Sequence, residues 1–91
     1  MLEFKSKIMN SDIAKNSIEV LNNNLDRMRR GEEFNEFKRN TLKSMLKDIE
    51  YELKVELEEC YDIGEGLNIM HDIKVWREYI KEQVKLFKDV A

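Results

Sequence analysis

The sequence predicts an all-α protein, specifically an antiparallel three-helix bundle with a long central helix and a short N-terminal arm. The chain of 91 residues contains no proline, and its three glycines are Gly31, Gly64 and Gly66. Long segments therefore lie between the residues that most often end helices. Apolar residues recur every three or four positions in each segment, which is the period of a helix with a buried face. The chain length fits one domain, residues 1–91.

The central helix is predicted over residues 32–61, which contain neither proline nor glycine. Glu32, Glu33 and Glu36 place negative charge at its start, where the helix dipole favours it. Its two apolar faces consist of Phe34, Phe37, Thr41 and Met45, and of Leu42, Leu46, Ile49, Leu53, Leu57 and Cys60. The two faces lie about 100° apart. A helix with two adjoining apolar faces is expected between two neighbouring helices.

The first helix is predicted over residues 12–30, after an arm of residues 1–10. Ser11 or Asn10 caps its start, and Arg29, Arg30 and Gly31 end it, since cations and a glycine suit a helix C-terminus. Its apolar residues are spaced as in a coiled-coil seam, and they are Ala14, Ile18, Leu21, Leu25 and Met28. The arm is expected to pack its apolar side on the bundle. The alternative is an arm exchanged with a second subunit.

The third helix is predicted over residues 68–89, with Asn68 as its N-cap. Its main apolar face consists of Ile69, Ile73, Trp76, Ile80, Val84 and Phe87, and a second stripe consists of Val75, Tyr79, Leu86 and Val90. This stripe, together with Trp76 and with Tyr51 and Val55 of the central helix, is the predicted protein interface. The reason is that exposed apolar surface rich in aromatic residues is typical of interfaces. The alternative is that the stripe completes the contact with the first helix.

Charge is segregated along the central helix. Residues 37–47 hold four cations and no acid, whereas residues 48–65 hold eight acids and one cation, Lys54. The predicted acidic patch consists of Asp48, Glu52, Glu56, Glu58, Glu59 and Asp62. A solvated face, neutralised where Lys74 and Arg77 approach Glu58 and Glu59, is the simpler interpretation of this patch. The alternative is an inhibitor that imitates the charge of DNA.

Sequence signals for chemistry are weak. Cys60 and His71 are the only soft metal ligands, and a structural zinc site needs four, so no metal or other cofactor is predicted. The single histidine has no evident nucleophile or base as a partner, so an enzyme is not predicted. A third functional class, a nucleic-acid binder that uses the basic stripe of Arg39, Lys43 and Lys47, is disfavoured by the net charge of −3.

Composition and chain start predict a cytoplasmic protein. Apolar residues make up 42% and charged residues 38% of the chain, which is too apolar for disorder. No apolar run approaches the ~20 residues of a membrane span, and Met1–Lys5 lacks the apolar core of a signal peptide. A single cysteine allows no internal disulfide and suits a reducing compartment.

The leading functional hypothesis is a small cytoplasmic protein–protein interaction module. It would act as a regulator, adaptor or inhibitor by docking its apolar and aromatic helical face on a protein partner. A homodimer through the same face is a second use of that surface, because a small domain gains stability by association.

Overall fold

The computed structural model describes residues 2–88, which contain three α-helices and no strand. The helices are α1 (Asp12–Arg29), α2 (Glu36–Glu59) and α3 (Ile63–Lys88). The structure measures 44 × 22 × 20 Å. The predicted all-α class is confirmed for this part of the chain. Val90, a predicted interface residue, lies outside the described residues.

The two ends of α1 follow the signals seen in the sequence. Ser11 is the N-cap, and its hydroxyl oxygen accepts a hydrogen bond from a backbone N–H of the first turn at 3.2 Å. At the other end Gly31 has a φ of +87°, which glycine adopts without the steric cost of a Cβ. The Gly31 N–H donates to the Met28 carbonyl and the Glu32 N–H to the Arg27 carbonyl, each at 3.1 Å. This pair of hydrogen bonds is a Schellman motif, so the predicted glycine stop is confirmed.

The central helix α2 begins four residues later than predicted. Asn35 is its N-cap, and its side-chain oxygen accepts a hydrogen bond from the Lys38 N–H at 2.8 Å. Phe34 is buried just before this cap, with Arg27 and Lys38 over its ring at 5.3 and 5.9 Å from the centroid. The acids at positions 32 and 33 therefore precede the helix. With 24 residues against 26 for α3, α2 is not the longest helix.

Helix α3 begins five residues earlier than predicted. The Asp62 carboxylate accepts a hydrogen bond from the Glu65 N–H at 3.0 Å, so Asp62 caps the helix in place of Asn68. Asp62 and Glu65 have the spacing of a capping box. Gly64 and Gly66 lie inside the first turn, and among the described residues only Gly31 has a positive φ. These two glycines therefore do not separate helices, contrary to the prediction.

Trp76 of α3 lies at the centre of the core and is fully buried. Its Nε1 donates a hydrogen bond to the Leu46 carbonyl of α2 at 2.8 Å. The Trp76 ring stacks on Tyr79 and is tilted against Phe4 of the arm, with centroids 4.9 and 6.2 Å away. The remaining buried apolar residues are Met9, Ile18, Leu21, Leu25, Phe34, Leu42, Leu46, Leu53, Ile69, Ile73 and Phe87. The core thus draws on all three helices and on the arm.

Candidate protein-interaction site

The predicted interface on α3 is used largely inside the chain. Trp76 is a core residue and not a surface anchor, because its side chain is fully buried among α2, α3 and the arm. Tyr79 is half-buried, and its hydroxyl donates a hydrogen bond to the Asn22 side chain of α1. Burial raises the pKa of Tyr79, against the nearby Arg29 cation, so the phenol keeps the proton it donates. The alternative given above, contact with α1, therefore describes Tyr79.

The other predicted interface residues differ in exposure. Val75 and Leu86 are half-buried, and Leu86 packs against the core. On α2, Tyr51 is 68% exposed and Val55 is half-buried. Phe37, which was predicted to lie on a core face, is 79% exposed. Exposed apolar surface is therefore present, but on α2 more than on the second stripe of α3.

A groove of about 380 Å³ lies between α1 and α2, and most of its lining is apolar. Ile18 and Leu53 in this lining are buried, whereas Ile13 is 82% exposed. The apolar lining residues are Ile8, Met9, Ile13, Ala14, Ile18, Met45, Ile49 and Leu53, and Ser11 and Ser17 add two hydroxyls. The apolar core thus extends to the protein surface along this groove, where part of its lining is open to solvent.

Two acidic side chains of α2, Asp48 and Glu52, also line this groove. They lie one helical turn apart, both are exposed, and they are the only charged residues of the described chain that line it. Among residues 2–87, whose side chains the structure describes, no cation lies within 4.0 Å of either carboxylate. An apolar surface with unneutralised acids along one side is the most distinctive surface feature of the structure.

The predicted acidic patch is divided by the fold. Glu56, Glu58 and Glu59 are exposed but lie outside the groove lining, and Asp62 caps α3. The predicted approach of Lys74 and Arg77 to Glu58 and Glu59 gives no ion pair in the described chain. Arg77 instead bonds Glu50 at 3.3 Å, and Lys54 bonds the same carboxylate at 3.3 Å. The neutralised acid is therefore Glu50, on the α3 side of α2.

The predicted basic stripe on α2 is not a continuous exposed row. Lys43 and Lys47 are exposed, with Lys43 over the Phe87 ring at 5.3 Å from its centroid, but Arg39 is half-buried. A second groove, of about 500 Å³ between α2 and α3, is bordered by cations. Its lining consists of Lys54, Leu57, Met70, Ile73, Lys74, Arg77, Glu78 and Lys81. The two grooves beside α2 therefore differ in charge, because acids line the groove toward α1 and mostly cations, three of them from α3, line the groove toward α3.

The arm is held on α3 by two carboxylates that lie two turns apart. Asp72 is fully buried, and it accepts hydrogen bonds from the Lys5 N–H at 2.9 Å and from the Ser6 N–H at 2.8 Å. It also accepts one from the buried Ser6 hydroxyl. Glu65 accepts one from the Lys7 N–H at 2.7 Å. Three consecutive amides of the arm thus end on α3, and the arm packs on its own chain.

The sequence did not predict that Asp72 holds the arm on α3. A serine and an aspartate 66 positions apart give no local signal of contact, and the dipeptide His71–Asp72 is common. The only available hint was Asp72 itself, an acid one position from Ile73 on the apolar face of α3. The imidazole Nδ1 of His71 lies 3.0 Å from Oδ1 of Asp72, whereas the Ser6 hydroxyl bonds Oδ2. Both histidine and serine contact the carboxylate, but only the serine belongs to the arm and joins it to α3.

The stability that Asp72 provides should decrease in acid. Burial raises the pKa of Asp72, but the hydrogen bonds from the Ser6 hydroxyl, the Lys5 N–H, His71 and the Ser6 N–H outweigh burial, so the pKa is lowered overall. A lowered folded-state pKa adds stability above the unfolded value of about 3.9 and loses it as the pH falls through the folded value. We expect the unfolding free-energy difference between wild type and Asp72→Asn, measured in urea, to be smaller at acid pH than at neutral pH. The same difference at both pH values would contradict this assignment.

No group of three or more histidine, cysteine, aspartate or glutamate side chains in the described residues is placed to hold a metal ion. Among these residues no helix is both long and apolar enough to cross a bilayer. In comparisons with known proteins, the chain matches no family model, no curated protein and no solved structure. The function proposed below therefore depends on the geometry of this chain alone.

Proposed function

We propose that the chain is a small protein-interaction module of the cytoplasm that binds a protein partner in the groove between α1 and α2. The observation that carries the proposal is the apolar lining of this groove, which continues from buried Ile18 and Leu53 to Ile13, 82% exposed. Contiguous exposed apolar surface with a polar border is typical of protein-binding sites. A regulator, adaptor or inhibitor of this kind needs no chemistry of its own.

The proposal includes the antiparallel arrangement of the three helices that the sequence predicts. Contacts between α2 and α3 support it. Leu46 meets Trp76, whereas the later residue Leu57 lies near Gly66 at the start of α3. Between α1 and α3, residues 22 and 29 meet residues 79 and 83, which is the order expected for helices that run the same way. In this arrangement α1 and α2 are antiparallel neighbours, and the groove runs along both.

The site differs from the predicted interface for a packing reason. Two residues of the second stripe of α3 are used inside the chain, because Tyr79 bonds Asn22 of α1 and Leu86 packs against the core, so their apolar area contributes to folding. On the other side of the α1–α2 pair no further helix of the described chain covers Ile13, Met45 and Ile49. A partner that covers these residues would bury apolar area, and each Å² removed from water favours binding by about 25 cal/mol.

A photo-crosslinking residue tests the proposal in the cells that produce the protein. We expect p-benzoylphenylalanine at position 13, in the groove, to give a discrete protein adduct in much higher yield than at Asn40. Asn40 is exposed on α2 and lies outside the groove lining. The measurement is the adduct pattern on a denaturing gel, followed by mass spectrometry of the adduct.

A steric block provides the control. Ser17→Trp should fill the groove and remove the adduct at position 13, whereas Asn16→Trp, at an exposed neighbour outside the lining, should leave it. Far-UV circular dichroism of both variants would check that the helices remain. Equal adduct patterns at positions 13 and 40, or adducts that survive Ser17→Trp, would show that the groove is not the binding site.

A further inference from the structure

We propose that the partner segment that fits the groove between α1 and α2 is an amphipathic helix with lysine or arginine beside its apolar face. This inference rests on the proposed function, and it adds the secondary structure and the charge of the segment. It follows from two properties of the groove, the helical nature of both walls and the sign of the charge along one of them.

A helix suits the groove because α1 and α2 supply most of its lining, to which the arm adds Ile8 and Met9. Backbone N–H and C=O groups within α1 and α2 already bond within their own helix, so they offer no ladder to an extended peptide. An extended segment would bury its own N–H and C=O groups without partners, which costs about 1–3 kcal/mol for each group. A helix satisfies these groups internally and leaves only side chains to pack.

The walls also present the side-chain rows that helix packing uses. Ile13 and Ser17 lie four residues apart on α1, and so do Ala14 and Ile18. Met45 and Ile49 form the corresponding row on α2. Rows of this spacing form ridges and grooves into which the ridges of another helix fit. The small side chains of Ala14 and Ser17 allow the backbone of the partner helix to come close to α1. The complex would then contain four packed helices.

The charge of the segment follows from Asp48 and Glu52. These carboxylates form a second row of the same spacing on α2, and they border the apolar lining. An apolar segment that covers the groove would partly desolvate both carboxylates, which is unfavourable unless a cation pairs with each. A neutral apolar helix would leave this cost in place and an acidic helix would add repulsion. Lysine or arginine at the border of the apolar face removes it.

A second copy of this chain is a poorer occupant. Its most exposed apolar helical stripe is Ile63, Leu67 and Met70 at the start of α3, where Ile63 is 83% exposed. Residues 61–71, which contain this stripe, hold two acids, Asp62 and Glu65, and no lysine or arginine, so they lack the cation that the acidic side of the groove requires. The contact would also join two different surfaces, and such contacts build open assemblies unless they close into a ring.

Two synthetic peptides of about 18 residues, long enough to form helix in water, test the inference. Both carry the same leucine stripe, flanked by lysine in one peptide and by glutamate in the other. Binding is measured by fluorescence anisotropy at ionic strengths of about 0.01 and 0.15 M. At the higher ionic strength we expect the lysine peptide to bind about tenfold more tightly than the glutamate peptide, because two partly exposed ion pairs contribute about that difference in affinity. The preference for the lysine peptide should be larger at the lower ionic strength.

Charge reversal separates the groove from the general charge of the protein. Asp48→Lys with Glu52→Lys should reverse the peptide preference. Glu58→Lys with Glu59→Lys changes the net charge by the same amount outside the groove lining, and it should keep the preference. Equal binding of both peptides to wild type, with no effect of either reversal, would overturn the charge assignment while leaving apolar docking intact.

The remaining outcomes separate this inference from the proposed function. If neither peptide binds although crosslinking at position 13 captures a partner, the helix assignment is overturned and the interaction function stands. If crosslinking also fails, both are overturned. If light scattering shows a dimer that Ser17→Trp dissociates, the occupant is a second copy and the inference is overturned.

Discussion

Replacing Trp76 by alanine should lower the free energy of unfolding by about 3–5 kcal/mol, the largest single-residue effect that we expect. The side chain is fully buried at the meeting point of α2, α3 and the arm. Its removal would leave a cavity lined by Phe4, Tyr79 and residues of α2, and a small domain can close such a cavity only in part. Urea denaturation followed by far-UV circular dichroism would measure the change, because the variant lacks the only tryptophan.

The size of this effect matters because the whole domain has a small margin. A chain of 91 residues is expected to have an unfolding free energy of about 5–14 kcal/mol, from 0.05–0.15 kcal/mol per residue. Trp76→Ala would therefore remove a large fraction of it. Trp76→Phe retains most of the apolar volume but loses the Nε1–H bond to the Leu46 carbonyl. We expect a smaller loss for this variant, of about 1–2 kcal/mol.

Tyr51→Ala is the matched control for this prediction. Tyr51 is also an aromatic residue of a helix, but it is 68% exposed on α2, and substitutions at such positions usually change stability by less than about 0.5 kcal/mol. Similar losses for Trp76→Ala and Tyr51→Ala would mean that Trp76 is not enclosed as described.

Helix periodicity could be predicted from the sequence because it is a local property. The seam of α1 and the core face of α2 occupy the positions that the three- and four-residue spacing indicates, with Leu21, Leu25, Leu46 and Leu53 fully or almost fully buried. Helix ends depend on competing local signals. Gly31 was identified correctly because its left-handed backbone ends α1.

Helix α3 starts five residues before its predicted start because the Asp62 cap begins the helix ahead of the two glycines. Asp62 offers its carboxylate to the Glu65 N–H, and this hydrogen bond starts the helix ahead of Gly64 and Gly66. Each glycine inside a helix costs about 1 kcal/mol relative to alanine, and an N-cap contributes about 0.5–2 kcal/mol, so the cap offsets much of the cost of the two glycines. Asn35 likewise moved the start of α2 past the acids at positions 32 and 33.

The use of each apolar face could not be predicted, because it depends on which elements meet. Apolar spacing alone cannot tell whether Tyr79 faces a partner or faces Asn22 of α1. The same limit applies to the groove, since Ile13 and Asp48 are far apart in the chain and become neighbours only when α1 and α2 pack. The sequence did identify Asp48 and Glu52 as parts of an acidic surface, but not the apolar surface beside them.

Replacing Asp72 by alanine should release the arm and lower the free energy of unfolding by about 2–4 kcal/mol. The variant would leave the buried amide and hydroxyl of Ser6 and the part-buried Lys5 amide without their acceptor, at about 1–3 kcal/mol for each unsatisfied buried group. The total is smaller than the sum because an arm that leaves α3 exchanges these bonds for water. The loss is therefore limited to the free energy of docking the arm, which includes the contacts of Phe4 and Met9 with the core.

Amide hydrogen exchange distinguishes arm release from general destabilisation. In Asp72→Ala the Ser6 and Lys7 N–H groups should both exchange much faster than in wild type, because an arm that leaves α3 also loses the bond from the Lys7 N–H to Glu65. The exchange rates of the N–H groups in the middle of α2 should change only as far as the global stability changes. Ser6→Ala retains both backbone bonds to Asp72 and should give a loss of about 1 kcal/mol, and Asp48→Ala, at an exposed acid, should give almost none. A uniform increase in exchange along the chain would mean that Asp72 supports the core in general and does not hold the arm.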